Sequence, residues 1–418
     1  GRTGIVRQIQ KVPGIDGDAK LHFVAATIAQ PRRGCGAGYQ PMCGGAGETL
    51  SAATMAALGE GLERYAAASY PESHKLQTRR ALTATSIDPA DVARFSQQQR
   101  SHSAFPYQHV DDDTKLRWVN GRGLADGCPG AVPAASICLR YQREPGEPHL
   151  TPGVSTGLCC APSLGEAIVG GICEVIERDA LALTWLAGMS PPQIPHDYVQ
   201  QHASELLPPA DDARAYDLTT DIGVPVVLII CRGLGPGGPL VSVGSACHIE
   251  PQVALRKAAI EASQDRVYVR QLLDREPNWQ PDEHFANVSD FSYHARLYSI
   301  LPELIEQAFG FLNANSRSSS WPPAAERDLA NVADRLQLFS DRLQQTGHVG
   351  AWVDLTPNFA PQLGLHIVRV VIPSLMPLHG HHVLAALGHP RLADSRNALP
   401  QATLTHDRDI WPFPHPFP

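Results

Sequence analysis

The stretch "AIVGGICEVIERDALALTWLAG" (167–188) is apolar around most of a helical circumference, yet it carries Glu174 and Glu177. A helix that is hydrophobic on all sides belongs in the interior. Two like-charged carboxylates placed there are costly, because burial and mutual repulsion both disfavour ionisation. The fold must therefore bury this helix and also bring positive charge to its acids. The helix is predicted from about Leu164 to Gly188, after the turn "TPGVSTG". Glu174 and Glu177 share a face at i, i+3. Glu166 lies eleven residues before Glu177, close to three full turns, and joins that face.

Two further helices carry related patterns. One, predicted from about Ser51 to Ser69, holds Glu60-Gly-Leu-Glu63-Arg64. The other, about Pro251 to Leu273, holds Glu261-Ala-Ser-Gln264-Asp265-Arg266. A single pattern of this kind reads as a solvated helix face, since glutamate is a good helix former and is usually exposed. The apolar surroundings of Glu174 and Glu177 favour a different reading. Bound cations would offset both repulsion and desolvation. Carboxylate oxygens suit Mg²⁺, which is commonly held by one or two carboxylates together with substrate phosphates. The residues thus point to a metal–phosphate site, with solvated surface helices as the alternative. The familiar nucleotide devices are missing: "GGAGETL" (44–50) lacks the Lys-Ser/Thr pair of a phosphate loop, and no protein-kinase motif set occurs.

Elsewhere strands alternate with helices. "KLHFVAATIAQ" (20–30), "LRWVNGRGL" (116–124), "VPAASICLRY" (132–141), "IGVPVVLIICRGL" (222–234), "LVSVGSAC" (240–247), "VGAWVDLT" (349–356) and "LGLHIVRVVIP" (363–373) have strand character. "VADRLQLFSDRLQQTG" (332–347) reads as a helix ending at a glycine. Residues 76–114 read as an exposed polar insertion, and 274–325 are mixed. The alternation predicts a mixed α/β or α+β architecture with long helices on a sheet. The expected organisation is one unit over 1–418.

With 418 residues and 43% hydrophobic content the chain can build a substantial core. A net charge of −8, without any Lys/Arg-rich block, argues against a nucleic-acid partner. The longest apolar run, Val224–Cys231, falls far short of the roughly 20 residues that span a membrane. The first residues show no signal-peptide core, and the absent initiator methionine suggests a trimmed protein or the later part of a longer one. Nine cysteines without a C-x-x-C pair fit reduced thiols in a cytoplasm better than a disulfide framework or zinc site. His379, His381 and His382 in "PLHGHH" lack ligand spacing and read as a polar loop.

The sequence closes on "WPFPHPFP", Trp411 to Pro418. Proline fixes φ and has no N–H, so the segment reads as a stiff polyproline rod. On its own it would be a terminal tail. Its stiffness means that little entropy is lost if it is placed against the rest of the chain.

Together these stretches resemble the YcaO superfamily. The resemblance rests on "GGAGETLSAATMAALGEGLERYAA" (44–67), "STGLCCAPSLGEAIVGGICEVIERDALALTW" (155–185) and "GSACHIEPQVALRKAAIEASQDR" (244–266), with "WVDLT" (352–356) and "GLHIVRVVIPSLMPL" (364–378), and runs from about Thr3 to the end. It implies ATP-dependent activation of a peptide-bond oxygen with Mg²⁺. Glu60, Glu63, Glu174 and Glu177 match the metal-binding acids. Glu166, Arg178, Cys159, Glu261, Gln264 and Arg266 match positions that line or support the nucleotide pocket. Two departures stand out: Gly45-Ala46-Gly47 replaces a lysine-bearing GKG-type turn, and Cys160-Ala161-Pro162 replaces a small-residue "AAG".

The activity so implied is a cyclodehydratase that forms thiazolines or oxazolines in a ribosomally made precursor peptide, as in bacteriocin biosynthesis. A Cys, Ser or Thr side chain attacks the preceding carbonyl, the oxyanion takes the γ-phosphoryl of ATP, and phosphate leaves. The repeated proline tail is the family's mark of azoline formers, and implies a catalytic role for Pro418, through its carboxylate, or for the His415 imidazole. Thioamide or amidine formation, or a non-catalytic peptide-docking subunit, are the alternatives. The resemblance also implies an E1/ThiF-like leader-binding partner or fused domain, for which residues 1–418 offer no candidate. A homodimer is left open, and the general base is not identifiable from sequence.

Overall fold

The computed structural model describes all residues except 1–3, 32–41, 70–75, 93, 314–319, 324–328, 330, 405 and 407–409. In chain order, the elements that frame the site begin with β1 (Val6–Val12), β2 (His22–Ile28), β3 (Met42–Gly47) and α1 (Leu50–Ala68). There follow β4 (Thr85–Ser86), β5 (Trp118–Gly123), β6 (Pro129–Pro133), β7 (Leu158–Ala161) and α2 (Leu164–Leu186). The second half holds β8 (Asp212–Asp217), β9 (Val226–Gly235), β10 (Gly238–Cys247), α3 (Pro251–Arg275), α4 (Phe291–Ile300), α5 (Val332–Gln345), β11 (Ala351–Asp354) and β12 (His366–Val371). This is the mixed α/β architecture the alternation predicts.

Three sheets carry the three acidic helices. β1-β2-β3 and β10-β9-β8 are antiparallel. A six-stranded sheet runs β4-β6-β5-β11-β12-β7. The apolar run on β9 is explained by burial on both faces. Val226, Leu228 and Ile230 pack with α2, whereas Val227, Ile229 and Cys231 pack with α3. Seventeen of the 23 residues of α2 are buried, so the all-round apolar pattern does place it in the core. Each of the first two acidic helices starts at a side-chain cap: Thr49 accepts from the Ala52 N–H at 3.1 Å, and Ser163 from that of Glu166 at 3.2 Å.

Gly45-Ala46-Gly47, expected as a turn, is the end of strand β3. Its glycines serve close packing: a Cβ at Gly45 would collide with the backbone of Ala53 and Ala57 on α1. Gly244 on β10 stands in the same relation to Ala258 and Ala262 on α3.

"VPAASICLRY" is only partly strand. Pro133 cannot donate to a ladder, and a helical turn, Ala134–Ile137, follows it. The 76–114 stretch is anchored rather than merely exposed. Thr85–Ser86 pairs in parallel with Gly130–Ala131, and Phe95 stacks on Tyr107 at 4.9 Å between ring centroids. Arg79 pairs there with Asp88 at 2.8 Å and Asp112 at 2.9 Å. The eight cysteines among the described residues are free, while Cys35 lies outside them. Among the described residues no helix is long and apolar enough to cross a membrane.

Candidate active site

The three acidic helices converge on two neighbouring cavities. The larger, about 960 Å³, is lined by Glu60, Glu63, Glu174, Arg178, Glu261 and Gln264 among others. The smaller, about 570 Å³, is lined by Cys159, Glu166, Glu174, Glu177, Glu261 and Lys257 among others. Glu174 and Glu261 border both, so a row of carboxylates forms the seam.

Backbone N–H groups hold the acids in place. The first acid of each motif accepts from the strand or turn that leads into its helix. Gly44 N–H donates to Glu60 at 2.8 Å, Gly157 N–H to Glu174 at 3.1 Å, and Ser245 N–H to Glu261 at 3.1 Å. Glu60 also pairs with Arg64. The second acids reach across to the next unit: Cys160 N–H donates to Glu63 at 2.7 Å, and Cys247 N–H to Glu177 at 3.2 Å.

The electrostatics are strained in the direction the sequence implies. Burial, reinforced by the charge of Glu174, pushes the Glu63 carboxyl well above the usual carboxylate range. Burial raises Glu174 to about 7, Glu177 adding to the shift and Arg178 opposing it. Burial, then repulsion from Glu177, raises Glu261 to about 8. Arg178 feels the opposite balance: burial works against its charge, but Glu177, Glu174 and Glu261 outweigh it. A cluster of this kind is short of positive charge.

The donor set is entirely hard oxygen, which suits Mg²⁺. Among the described residues no group of three His, Cys, Asp or Glu side chains forms a ready metal cage. Few protein ligands plus phosphate oxygens is the usual way Mg²⁺ is held at a nucleotide, so these residues fit that ion.

Not every expected site residue lies at these cavities. Glu166 reaches the smaller one and accepts from the Ser163 hydroxyl at 2.8 Å. Arg266 faces neither. It is buried between Asp211 at 2.6 Å and Asp18 at 3.3 Å, where it ties α3 to the preceding loops. It does not line the nucleotide pocket, and of that expectation only the supporting role, behind Gln264 and Asp265 on the same helix, is left.

The His415 imidazole is corrected likewise. It is fully buried and stacked on His294 at 3.8 Å. Its Nε2 contacts the His379 carbonyl at 2.7 Å, and its Nδ1 accepts from the Phe417 N–H at 3.2 Å. Both ring nitrogens are engaged, so the side chain is an anchor. Pro418, by contrast, lines the larger cavity. The sequence reading missed Ser245, Lys257 and the backbone donors Gly44, Gly157 and Cys160. Backbone groups leave no residue-type signal, and a serine in a strand is unremarkable.

A family model described as YcaO cyclodehydratase, ATP- and Mg²⁺-binding, matches residues 44–376. The chain belongs to the YcaO family. A curated relative from Rhizobium leguminosarum bv. trifolii, an uncharacterized protein in the tfuA 3′ region, is 26% identical over 72% of this chain and 68% of its own. A heterocyclase solved in complex with substrate and cofactor superposes with a TM-score of 0.72 at 19% identity, covering 99% of this chain but 55% of that one. YcaO from Methanopyrus kandleri, solved with AMPPCP and Mg²⁺, gives 0.65 at 17% identity, with 92% and 90% covered. At these identities the structural likenesses carry the YcaO fold. The chain spans little more than half the length of the heterocyclase.

Proposed function

We propose that this YcaO protein is an ATP-dependent cyclodehydratase that converts Cys, or Ser/Thr, residues of a ribosomally made precursor peptide to thiazolines or oxazolines. The observation that carries the reading is the placement of the proline-rich tail. Its residues Pro414–Phe417 are buried in the core, and Pro418 borders the cavity that also holds Glu60, Glu63 and Glu174.

The tail is held by specific bonds. Trp185 Nε1–H donates to the Phe413 carbonyl at 2.7 Å, and the Tyr298 hydroxyl to that of Pro414. The His294 Nδ1 contacts the His415 carbonyl at 2.8 Å. Phe417 packs edge-on against Trp185 at 5.9 Å between ring centroids. A polyproline-type segment makes no internal backbone–backbone hydrogen bonds, which leaves its carbonyls free for such partners.

On this reading Glu60, Glu63, Glu174 and Glu177 hold Mg²⁺. Glu166, Cys159, Arg178, Glu261 and Gln264 surround the nucleotide. When bound, Mg–ATP supplies the phosphoryl group that turns the amide oxygen into a leaving group, with the cation neutralising the charge that develops. The chain's own part is placement. The rigid helices fix the acids, the buried walls exclude water, and Arg178 supplies a fixed positive charge at the seam. The peptide's reacting segment enters the larger cavity beside Pro418.

Leader recognition is assigned to an E1/ThiF-like partner or fused domain. Mass spectrometry of a precursor peptide, incubated with ATP, Mg²⁺ and that partner, tests the proposal. Loss of one water per ring is expected. Exchange of oxygen for sulfur would replace azoline formation by thioamide formation, and an unmodified peptide with no ATP consumption would overturn the enzyme assignment.

A further inference from the structure

The three acidic motifs share one brace: a backbone N–H from the preceding strand or turn donates to the first acid of the motif. In two of them the donor is a glycine, Gly44 or Gly157, and nothing more is attached. The third donor is Ser245, which has a side chain. Its hydroxyl donates to Glu177 on α2 at 2.6 Å, while its N–H donates to Glu261 on α3 at 3.1 Å. One residue thus fastens acids from two helices, and it is only 6% exposed.

A serine hydroxyl has a single proton to donate. With that proton committed to Glu177 Oε1 and the Cys247 N–H donating to Oε2, both oxygens of this carboxylate have a fixed donor. A glutamate on a helix otherwise has several rotamers, and freezing them at the moment of metal binding costs entropy. Groups that orient a ligating carboxylate commonly set metal affinity by 10- to 100-fold. Glu261 borders both cavities, so the same residue also fixes the spacing between the metal acids and the nucleotide wall.

We infer that Ser245 is a positioning residue, one whose hydroxyl locks Glu177 into its metal-binding orientation relative to Glu261. The inference rests on the assignment of Glu177 as a metal acid. Ser245→Ala removes the hydroxyl but keeps the N–H to Glu261, so it isolates the bond to Glu177.

The test uses Mn²⁺ in place of Mg²⁺, with a non-hydrolysable ATP analogue and the full chain, and reads bound Mn²⁺ by electron paramagnetic resonance. Ser245→Ala is expected to weaken Mn²⁺ binding by about tenfold or more. In a Glu177→Gln background the same substitution is expected to add nothing, because its only route is through that carboxylate. Mn²⁺ affinity unchanged in Ser245→Ala, with Glu177→Gln impaired, overturns the role of Ser245 and leaves the metal assignment standing. Additive losses in the double variant overturn it equally. Unchanged binding in Glu177→Gln removes the metal assignment itself, and the inference with it.

Discussion

The carboxylate of Glu63 accepts a hydrogen bond from the backbone N–H of Cys160 at 2.7 Å, so the first acidic helix is tied to the strand that leads into the second. Glu177 on the second helix is tied in the same way to Ser245 and Cys247, which lead into the third. The acids of one helix therefore cannot move without the strand that launches the next. This linkage holds like charges together where burial already disfavours them. It also makes the cluster sensitive to neutralisation.

Glu174→Gln and Glu177→Gln are expected to abolish ATP turnover, by at least about 100-fold, the upper end of the loss caused by removing a mere partner of a metal ligand. The amide keeps the shape of the carboxylate but cannot serve as an anionic ligand. Glu174→Gln should also raise the thermal midpoint of the metal-free protein, because it removes a charge that burial disfavours. A phosphate-release assay and a melting curve read the two effects separately. Wild-type turnover in both variants would remove these acids from the metal site.

The same cluster predicts a pH dependence. Glu174 and Glu261 are raised from 4.5 to about 7 and about 8, so the folded protein holds protons that the unfolded chain has released. Their contribution to stability is fully present below pH 4.5 and is lost as pH rises through about 7 to 8. A cation held by Glu174 needs that group ionised, and its charge favours the ionised form of Glu261 nearby. Stabilisation by Mg²⁺ and nucleotide should therefore grow as pH rises across that window, with protons released on binding. Calorimetry in buffers of different ionisation enthalpy measures that release; binding heats independent of buffer would contradict it.

Much of this was legible in the sequence because helix signals are local. The span of α2 follows from apolar positions after the turn "TPGVSTG", and its burial follows from being apolar around most of its circumference. The acids Glu60, Glu63, Glu174 and Glu177 announce themselves by spacing. The rest depends on partners far along the chain. Arg266 looks like its neighbours in the motif until Asp18 and Asp211 are brought against it. Gly45 reads as a turn glycine, since close contact with the backbone of Ala53 and Ala57 leaves no mark on composition. His415 reads as a catalytic imidazole because its partner, the His379 carbonyl, has no sequence signature.

Around the tail, buried histidines predict an acid-sensitive seat. His294, His379, His382 and His415 face one another from α4, the 379–382 loop and the tail, with His381 alongside. Burial lowers His294 from 6.5 to about 3 and His382 to about 4, and drives His379 and His415 well below their usual value. Their folded forms are neutral, so their stabilisation is complete above pH 6.5 and is lost as pH falls from 6.5 toward about 3. Trp185 reports the change through its fluorescence, since the Phe413 carbonyl and the Phe417 ring both contact it. A red shift below about pH 6 that is reversed at neutral pH is expected. A spectrum constant down to pH 4.5 would contradict the neutral histidine seat.

The tail itself gives the most direct test of the link between fold and activity. Phe417 is 2% exposed and belongs to the same core as α2. Phe417→Ala should cost about 3 to 5 kcal/mol, the range for emptying a buried aromatic position. Deleting Pro414–Pro418 removes the partners of Tyr298 and His294 as well, and leaves their polar atoms buried without a carbonyl to meet. Phe417→Ala should free the segment that places Pro418 at the larger cavity, and the deletion removes Pro418 itself. Cyclisation of a precursor peptide is expected to fall by far more than nucleotide binding does, because the acids are braced by β7 and β10 rather than by the tail. Equal losses of both would mean that the tail only supports the core. Full cyclisation by the deletion variant would mean that Pro418 borders the cavity without serving it.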